Sequence, residues 1–177
     1  MNRWNRIFKP VVVLMLVCIV VAGALAAANQ VTAPLIEAAA AEKQEAARKE
    51  LLPEAEGFKH MLGYEVEHVS DIYVAENGVG AVITAKAKGY GGDITVMVAF
   101  TADGTIKRIK VTEQSETKGI GSKVVDSSAY WTQYEGLPAE TLTLGEDVDA
   151  VTGATKSSRA LLEAVNAAVE GYREVAG

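Results

Sequence analysis

Hydrophobic and polar positions divide the 177-residue chain into stretches with different patterns. Between Pro10 and Ile36 the sequence has no charged residue and no histidine, and residues 11–28 are almost wholly apolar. An apolar stretch of about 20 residues is long enough to cross a bilayer as a helix. We therefore predict a transmembrane helix over residues 10–30, preceded by a short tail over residues 1–9.

The charges that flank this helix predict its orientation. Arg3, Arg6 and Lys9 stand just before it, and the next charge downstream is Glu37. Positive residues next to a membrane span favour the cytoplasmic side. The tail is therefore expected in the cytoplasm of a single-pass protein of the cell (inner) membrane, with the rest of the chain extracytoplasmic.

Two other N-terminal arrangements compete with a retained anchor. A cleaved signal peptide is an alternative, because residues 26–28 are three alanines, the small residues that a signal peptidase prefers. The apolar run exceeds the roughly 7–15 residues of a signal peptide core, which favours the anchor. A lipoprotein is disfavoured, since Cys18 lies within the span and is followed by Ile19 and Val20.

The segment after the apolar stretch has a helical composition. Residues 37–52, "EAAAAEKQEAARKELL", consist of strong helix formers with acidic and basic residues interspersed, and Pro53 follows. We interpret residues 31–56 as a solvated helical stalk without chemistry of its own, which holds the following domain away from the membrane.

Alternation of apolar and polar residues begins further along the chain. It is clearest over residues 82–88 and 106–111, while Asn77-Gly78 and Asp103-Gly104 are typical of tight turns. Strands joined by tight turns form an antiparallel meander. The segment "GSKVVDSSAYWTQYEG" predicts helix and loop, and a last helix has one apolar face. The residues of that face are Leu161, Leu162, Val165, Val169 and Tyr172. Residues 57–177 are thus predicted to form an α+β domain with an antiparallel sheet and a C-terminal helix.

Composition excludes several classes of function. Cys18 is the only cysteine, so an intrachain disulfide or a cysteine-ligated metal cluster is not possible. His60 and His68 are too few for a histidine-built metal site, and no metal site is predicted. Without the three basic residues of the tail, the rest of the chain has 14 of the 17 basic residues and all 23 acidic ones, a net charge of −9. Such an acidic body argues against a nucleic-acid partner.

Three glycine-bearing segments lie where strands give way to loops: "KGYGGDI", "SETKGIGSK" and "DAVTGATKSS". Glycine allows close approach of backbone to a planar ligand or a phosphate, although each segment is also compatible with an ordinary turn. The middle segment lacks the spacing of a phosphate-binding P-loop. It remains a loop in which Glu116 and Thr117 are placed to hydrogen-bond a ligand.

Thr155 stands where the last helical pattern starts, and two interpretations of it remain open. Its hydroxyl is suited to capping the helix, but a helix N-terminus also attracts a phosphate. Lys156, Ser157 and Ser158 would add donors in the first turn. Four aromatic side chains are candidates for stacking on a planar ligand, although core packing is the ordinary role for most of them. They are Tyr90, Tyr130, Trp131 and Tyr134.

The stretch from Asp149 to Thr155, "DAVTGAT", resembles the D-x-x-[ST]-G-A-[ST] signature of FMN-binding domains. In that family flavin mononucleotide is joined through its phosphate to the last Thr or Ser of the signature. "GYGGDI" and "ETKGIG" resemble two further segments of the family, in the same order. Together with the anchor and the stalk, the chain is similar to the RnfG family, the G subunits of Rnf electron-transport complexes. The related NqrC component of the sodium-pumping NADH:quinone reductase, usually longer, is the second choice.

The resemblance implies roles for individual residues. Thr155 would carry the FMN phosphoester, and Lys156 would lie beside it. The recognition segment for the flavin transferase would be Asp149, Thr152, Gly153, Ala154 and Thr155. The flavin site would be lined by Glu116, Thr117, Gly119 and Gly121, with Tyr90, Gly91 and Gly92. Lys118 stands where many members have proline, a departure that concerns the rigidity of this loop.

The function implied by the resemblance is electron transfer. A covalent-FMN subunit of this kind works with other membrane subunits to couple electron transfer between ferredoxin and NAD to translocation of Na⁺ or H⁺. The flavin supplies the chemistry, so no independent catalytic residue is expected, and neither histidine lies in a catalytic motif. Two alternatives stay open: a membrane-anchored binding module in which Thr155 only caps a helix, and a flavoprotein that works outside any complex.

Overall fold

The computed structural model describes residues 3–176, with side chains from Phe8 onward. The chain divides into two compact units, Met1–Lys43 and Gln44–Gly177. Helix α1 extends from Arg3 to Leu51 and includes Pro10 and Pro34. Its large apolar side chains between residues 11 and 36 are 46% to 67% exposed. Within the described residues, one helix is long and apolar enough to cross a membrane, and its apolar window is not buried; signal sequences share these properties.

Five antiparallel strands form the sheet of the second unit, in the order β1-β2-β3-β4-β5. They are β1 Phe58–Met61, β2 Val69–Ala75, β3 Gly80–Lys88, β4 Asp93–Thr101 and β5 Ile106–Gln114. The predicted meander is confirmed, and Gly78 and Gly104 take the positive φ angles, 71° and 81°, that its tight turns require. The sequence did not predict β1, because its four residues are too short to show alternation.

Strand β5 departs from the simple alternation of its sequence. The register with β4 shifts twice, between Thr95 and Val96 and between Ala99 and Phe100. As a result Ile106 and Ile109, three residues apart, are both buried. A β-bulge inserts an extra residue and so changes which side chains share a face.

Helix α4, Thr155–Ala176, packs on one face of the sheet. All five residues of its predicted apolar face are buried, which confirms that prediction. The segment between β5 and α4 contains three short helices: α2 Ser122–Val125, α3 Ser128–Trp131 and the 3₁₀ helix η1 Thr132–Tyr134. These helices and α4 enclose the main core of this α+β domain.

The opposite face of the sheet is covered by the end of α1. Ala47, Leu51 and Leu52 are buried in a second cluster with side chains of β2, β3 and β4. The guanidinium of Arg48 lies 3.9 Å from the centre of the Tyr73 ring. The expectation of a fully solvated helix over residues 37–52 is therefore wrong for its last turns.

Ion pairs also hold this end of α1 on the sheet. Lys110 of β5 pairs with Glu50, and Lys107 pairs with Glu54 in the turn that follows the helix. The hydrogen bond from Lys107 lowers the pKa of the Glu54 carboxyl. Because these groups are partly exposed, the packing of the apolar side chains is the stronger contribution to docking.

Truncation of Leu51 measures how much this second cluster stabilises the domain. Leu51 is fully buried, so Leu51→Ala is expected to lower the free energy of unfolding by about 2–5 kcal/mol. Leu62→Ala is the matched control, because Leu62 is 79% exposed and its loss should change stability by less than about 0.5 kcal/mol. Denaturant unfolding of the full chain compares the two variants. Equal effects would show that the end of α1 is not docked on the sheet.

Candidate functional site

The three glycine-bearing segments meet at one end of the domain. "KGYGG" turns the chain from β3 into β4, "SETKGIG" follows β5, and "DAVTGAT" leads into α4. In an antiparallel meander the end of β3, the start of β4 and the end of β5 share one edge, and α4 begins there. The structure thus brings together segments that are separated by up to about sixty residues in the sequence.

A cavity of about 390 Å³ opens at this end, and we call it the α4 pocket. Its lining residues are Tyr90, Ile120, Gly153, Ala154, Thr155, Lys156 and Ser157. Its volume lies within the range of about 300–1,000 Å³ that is usual for small-molecule sites. Of the residues proposed from the sequence, the pocket brings together Tyr90 and the segment from Gly153 to Ser157. Ile120 was not singled out from the sequence, where its one signal is an apolar side chain between two glycines.

Helix α4 begins at Thr155, and its cap differs from the expected one. The carbonyl of Ala154 accepts from the N–H of Ser158 at 2.9 Å, so Ala154 occupies the capping position and Thr155 is the first helical residue. The interpretation of Thr155 as the N-cap is therefore wrong. Ser158 stabilises the loop before the helix. Its hydroxyl accepts from the N–H of Val151 at 3.0 Å and donates to the Ala154 carbonyl at 3.2 Å.

The start of α4 presents unused hydrogen-bonding groups. Among the described residues, no protein oxygen accepts from the backbone N–H groups of Thr155, Lys156 and Ser157. Thr155 is exposed, and within the described part of the chain its hydroxyl has no hydrogen-bond partner. The positive end of the helix dipole adds to these donors, so the pocket is suited to an anion.

Glu116 joins two of the glycine-bearing loops. It is only 8% exposed, and its carboxylate accepts from the N–H of Tyr90 at 2.8 Å and from the N–H of Gly91 at 3.2 Å. A Cβ on Gly89 would lie 1.8 Å from Oε1 of Glu116, and one on Gly121 would lie 2.1 Å from Oε2. We call this arrangement the Glu116 clamp. Both carboxylate oxygens contact the protein, so the side chain shapes the loops around the pocket.

The remaining loop residues of the prediction lie close to the clamp. A Cβ on Gly91 would approach the N–H of Thr117 to 2.8 Å, and one on Gly92 would approach the Ser115 side chain to 2.6 Å. These two glycines therefore let the two loops pack together. Gly119 has open space around it, and its N–H donates to the Ser122 hydroxyl at 2.8 Å. Thr117 is exposed.

Of the four candidate aromatic residues, Tyr90 lines the α4 pocket. It is 58% exposed, and the Lys156 ammonium lies 5.7 Å from the centre of its ring. Tyr130 donates to the Asp149 carbonyl at 2.7 Å, and Trp131 donates to the Val124 carbonyl at 2.8 Å. Tyr134 is fully buried, and burial raises the pKa of its phenol far above the ordinary value. These three side chains support the fold.

The first half of "DAVTGAT" is fixed by a backbone hydrogen bond, and its polar side chains are exposed. Asp149 donates its N–H to the Gln133 amide oxygen at 2.7 Å, while its carboxylate and the Thr152 side chain are exposed. Gly153 has a φ of +82° with open space around it, so the chain conformation is what requires glycine there. The Asp149 and Thr152 side chains are therefore accessible from solvent.

The histidines lie away from the pocket. His60 contacts Asp71 at 3.2 Å and stacks on Tyr73, and His68 lies 3.7 Å from Glu163. Within the described residues, no group of three or more His, Cys, Asp or Glu side chains is placed to hold a metal ion.

Comparison with known proteins assigns the domain that carries this fold and pocket to a class of flavin-binding domains. Residues 89–170, which contain the glycines of all three glycine-bearing segments, match the model of the FMN-binding domain family. The crystal structure of Shewanella oneidensis NqrC is similar, with a TM-score of 0.50 and 27% identity. The similarity covers 60% of this chain and 59% of that one, so this chain spans about three-fifths of that structure.

Relatives that match nearly end to end define the family more closely. The G subunit of the Na⁺-translocating ferredoxin:NAD⁺ oxidoreductase complex of Acetobacterium woodii is 30% identical over 97% of this chain and 94% of its own length. The G subunit of the ion-translocating oxidoreductase complex of Methanosarcina acetivorans is also 30% identical, over 96% of both chains. The corresponding protein of the proton-translocating complex of Clostridium ljungdahlii is 30% identical over 94% and 91%. The chain belongs to the RnfG family, the G subunits of Rnf-type ion-translocating oxidoreductase complexes.

Proposed function

We propose that this protein is a membrane-anchored electron-transfer subunit that carries FMN bound covalently through its phosphate to Thr155. It works with the other membrane subunits of an Rnf-type complex, in which electron transfer between ferredoxin and NAD is coupled to translocation of Na⁺ or H⁺. The observation that carries the proposal is the exposed Thr155 hydroxyl, which lies beside unpaired N–H groups in a pocket of the FMN-binding fold.

The residues of the α4 pocket fit a flavin phosphate. Its oxygens would accept from the free N–H groups at the start of α4, where the helix dipole also favours negative charge. Among the described residues that line the pocket, Lys156 alone has a charged side chain, and it supplies a counter-charge. Tyr90 and Ile120 provide apolar surface for a planar ring, and the Glu116 clamp holds the Tyr90 loop in place.

Attachment of the flavin would be a phosphoryl transfer to Thr155. The Thr155 oxygen attacks the FMN-side phosphorus of FAD, the anhydride bond between the two phosphates breaks, and AMP leaves. The hydroxyl proton passes to a base of the flavin transferase, which also brings the metal ion, and no electron changes hands. Asp149, Thr152, Gly153 and Ala154 form the recognition segment for that enzyme, and the exposure of Asp149 and Thr152 makes it accessible.

Bound FMN supplies the electron-transfer chemistry, and this chain supplies its position. A covalent bond keeps the cofactor on an extracytoplasmic domain, from which a dissociated cofactor would diffuse away. No catalytic residue of this chain is required for that task. Glu116, Thr117, Gly119, Gly121, Gly91 and Gly92 act through the shape of the loops beside the pocket.

The proposed arrangement in the membrane has four parts. Residues 1–9 form a cytoplasmic tail, residues 10–30 cross the membrane, residues 31–56 form a stalk whose last turns dock on the sheet, and residues 57–177 form the extracytoplasmic domain. The apolar, exposed part of α1 and the basic residues before it support this topology. Protease added outside intact spheroplasts should digest the domain, and protection of the domain would reverse the orientation.

Expression of the full chain with and without a flavin transferase tests the cofactor proposal. With the transferase, the denatured protein band should fluoresce as flavin does, and the intact mass should rise by that of FMN less water. Without the transferase both signals should be absent. A chain that stays colourless and unmodified in the presence of an active transferase would favour a non-redox binding module.

Native purification separates the remaining alternatives. Extraction of the tagged protein from its own membranes should retain the other subunits of an Rnf-type complex. Recovery of the flavinylated chain by itself would favour a flavoprotein that works alone. Co-purification with the components of a sodium-pumping NADH:quinone reductase would assign it the role of NqrC in that enzyme.

A further inference from the structure

Ser157 has a buried hydroxyl group without a partner. The residue is fully buried, and within the described part of the chain its Oγ makes no hydrogen bond. A buried hydroxyl that is left unpaired costs about 1–3 kcal/mol, so native structures rarely keep one without a reason. The position of this hydroxyl suggests that its partner is a bound ligand.

The neighbouring serine shows that the arrangement is specific to Ser157. Ser158 is equally buried, but its hydroxyl is occupied by the Val151 N–H and the Ala154 carbonyl. The two residues have the same chemistry and the same burial, and they differ in whether the protein itself satisfies the hydroxyl. From the sequence both serines were equivalent donors.

Ser157 lies where a phosphate would bind. It is the third residue of α4 and lines the α4 pocket together with Thr155 and Lys156. Side chains of a helix lean towards its N-terminus, so the Ser157 hydroxyl is expected on the side of the free N–H groups. The lining residues include no carboxylate. A donor hydroxyl, free amides and one ammonium group together favour a phosphate over a cation or a neutral group.

We propose that the Ser157 hydroxyl donates a hydrogen bond to a non-bridging oxygen of a phosphate group held at the N-terminus of α4. This proposal rests on the proposed function, in which the phosphate is that of the flavin, but the same donor set would also bind inorganic phosphate. Ser157 is thus a cofactor-binding residue, while Ser158 is a structural one.

Thermal unfolding of the full chain without flavin, in detergent, tests the donor set with inorganic phosphate as the probe. Relative to chloride at equal ionic strength, phosphate should raise the Tm of the wild type and of Thr155→Ala. Ser157→Ala should lose about half of this shift or more, and its Tm in chloride should not fall, because no protein hydrogen bond is lost.

Ser158→Ala is the matched control for that measurement. It should lower the Tm in both buffers, because it removes two protein hydrogen bonds, and it should keep the full phosphate shift. A Ser157→Ala variant with an unchanged phosphate shift would overturn the proposal and would indicate a hydroxyl paired by buried water only. Absence of a phosphate shift in the wild type would also overturn it.

The flavinylated chain allows a second readout that does not depend on electron transfer. The ³¹P resonance of the Thr155 phosphodiester should move in Ser157→Ala and stay in place in Ser158→Ala, and an unchanged resonance in Ser157→Ala would contradict the assignment. If the wild type acquires no flavin, the proposed function fails. The inorganic phosphate experiment then still decides whether Ser157 binds a phosphate group.

Discussion

Replacement of Thr155 by alanine is expected to abolish covalent flavin attachment. In a chain expressed with a flavin transferase, Thr155→Ala should give a protein band without flavin fluorescence and an intact mass without the FMN adduct. The expected loss is complete, because the substitution removes the hydroxyl oxygen that attacks the phosphorus. Thr155→Ser should retain the adduct, since it keeps the hydroxyl.

The loss should not result from unfolding. Thr155 is exposed, and its hydroxyl makes no hydrogen bond within the described part of the chain, so Thr155→Ala should change the free energy of unfolding by less than about 0.5 kcal/mol. Thr141→Ala, at another exposed threonine, is the matched control and should be fully flavinylated. Retention of the adduct by Thr155→Ala, or its mapping to another peptide, would remove Thr155 as the attachment site.

The second large effect is expected at Glu116. Glu116→Gln keeps the size of the side chain but replaces one carboxylate oxygen with an NH₂ group that cannot accept from Tyr90 or Gly91. Hydrogen bonds to a charged group contribute about 1.5–3 kcal/mol, so the domain should lose stability in that range. Flavin attachment should slow as well, because the Tyr90 loop loses its hold beside the pocket.

Glu113→Gln is the matched control for this variant. Glu113 is an exposed residue near the end of β5, just before the loop that contains Glu116, and its replacement should change stability by less than about 0.5 kcal/mol. Denaturant unfolding and the rate of flavinylation are measured for both variants. Equal stability of the two would show that the Glu116 clamp does not hold the loops.

Gly121→Ala disturbs the same clamp from its other side. The φ and ψ of Gly121, −69° and −27°, are available to alanine, so any effect must come from the close approach of the added methyl to Oε2 of Glu116. Overpacking of this kind typically costs about 1–3 kcal/mol. The double variant Gly121→Ala/Glu116→Ala should be less destabilised than the sum of the two single variants, because removal of the carboxylate also removes the clash.

Two of the similar G subunits belong to complexes that translocate different ions. The relatives from Acetobacterium woodii and Clostridium ljungdahlii belong to Na⁺- and proton-translocating complexes, and each is 30% identical to this chain. Their equal similarity to this chain indicates that overall sequence similarity within the RnfG family does not distinguish the coupling ion.

The sequence by itself determined the features that depend on local pattern. The exposed apolar length of α1, the turns at Gly78 and Gly104 and the apolar face of α4 follow from composition, turn chemistry and periodicity within short windows. The order of the three glycine-bearing segments was also sufficient to indicate the FMN-binding family. Each of these signals is contained in the residues that form the element.

The tertiary structure decided which side chains form contacts within the protein and which remain available to a ligand. The direction of the Glu116 carboxylate, the burial of Leu51 and the bulges of β5 depend on residues from distant parts of the chain. The same holds for the difference between Ser157 and Ser158, which are identical side chains in adjacent positions. A hydrogen bond or a packed contact needs both partners in place, and only the folded chain brings them together, so local sequence could propose these residues without assigning their roles.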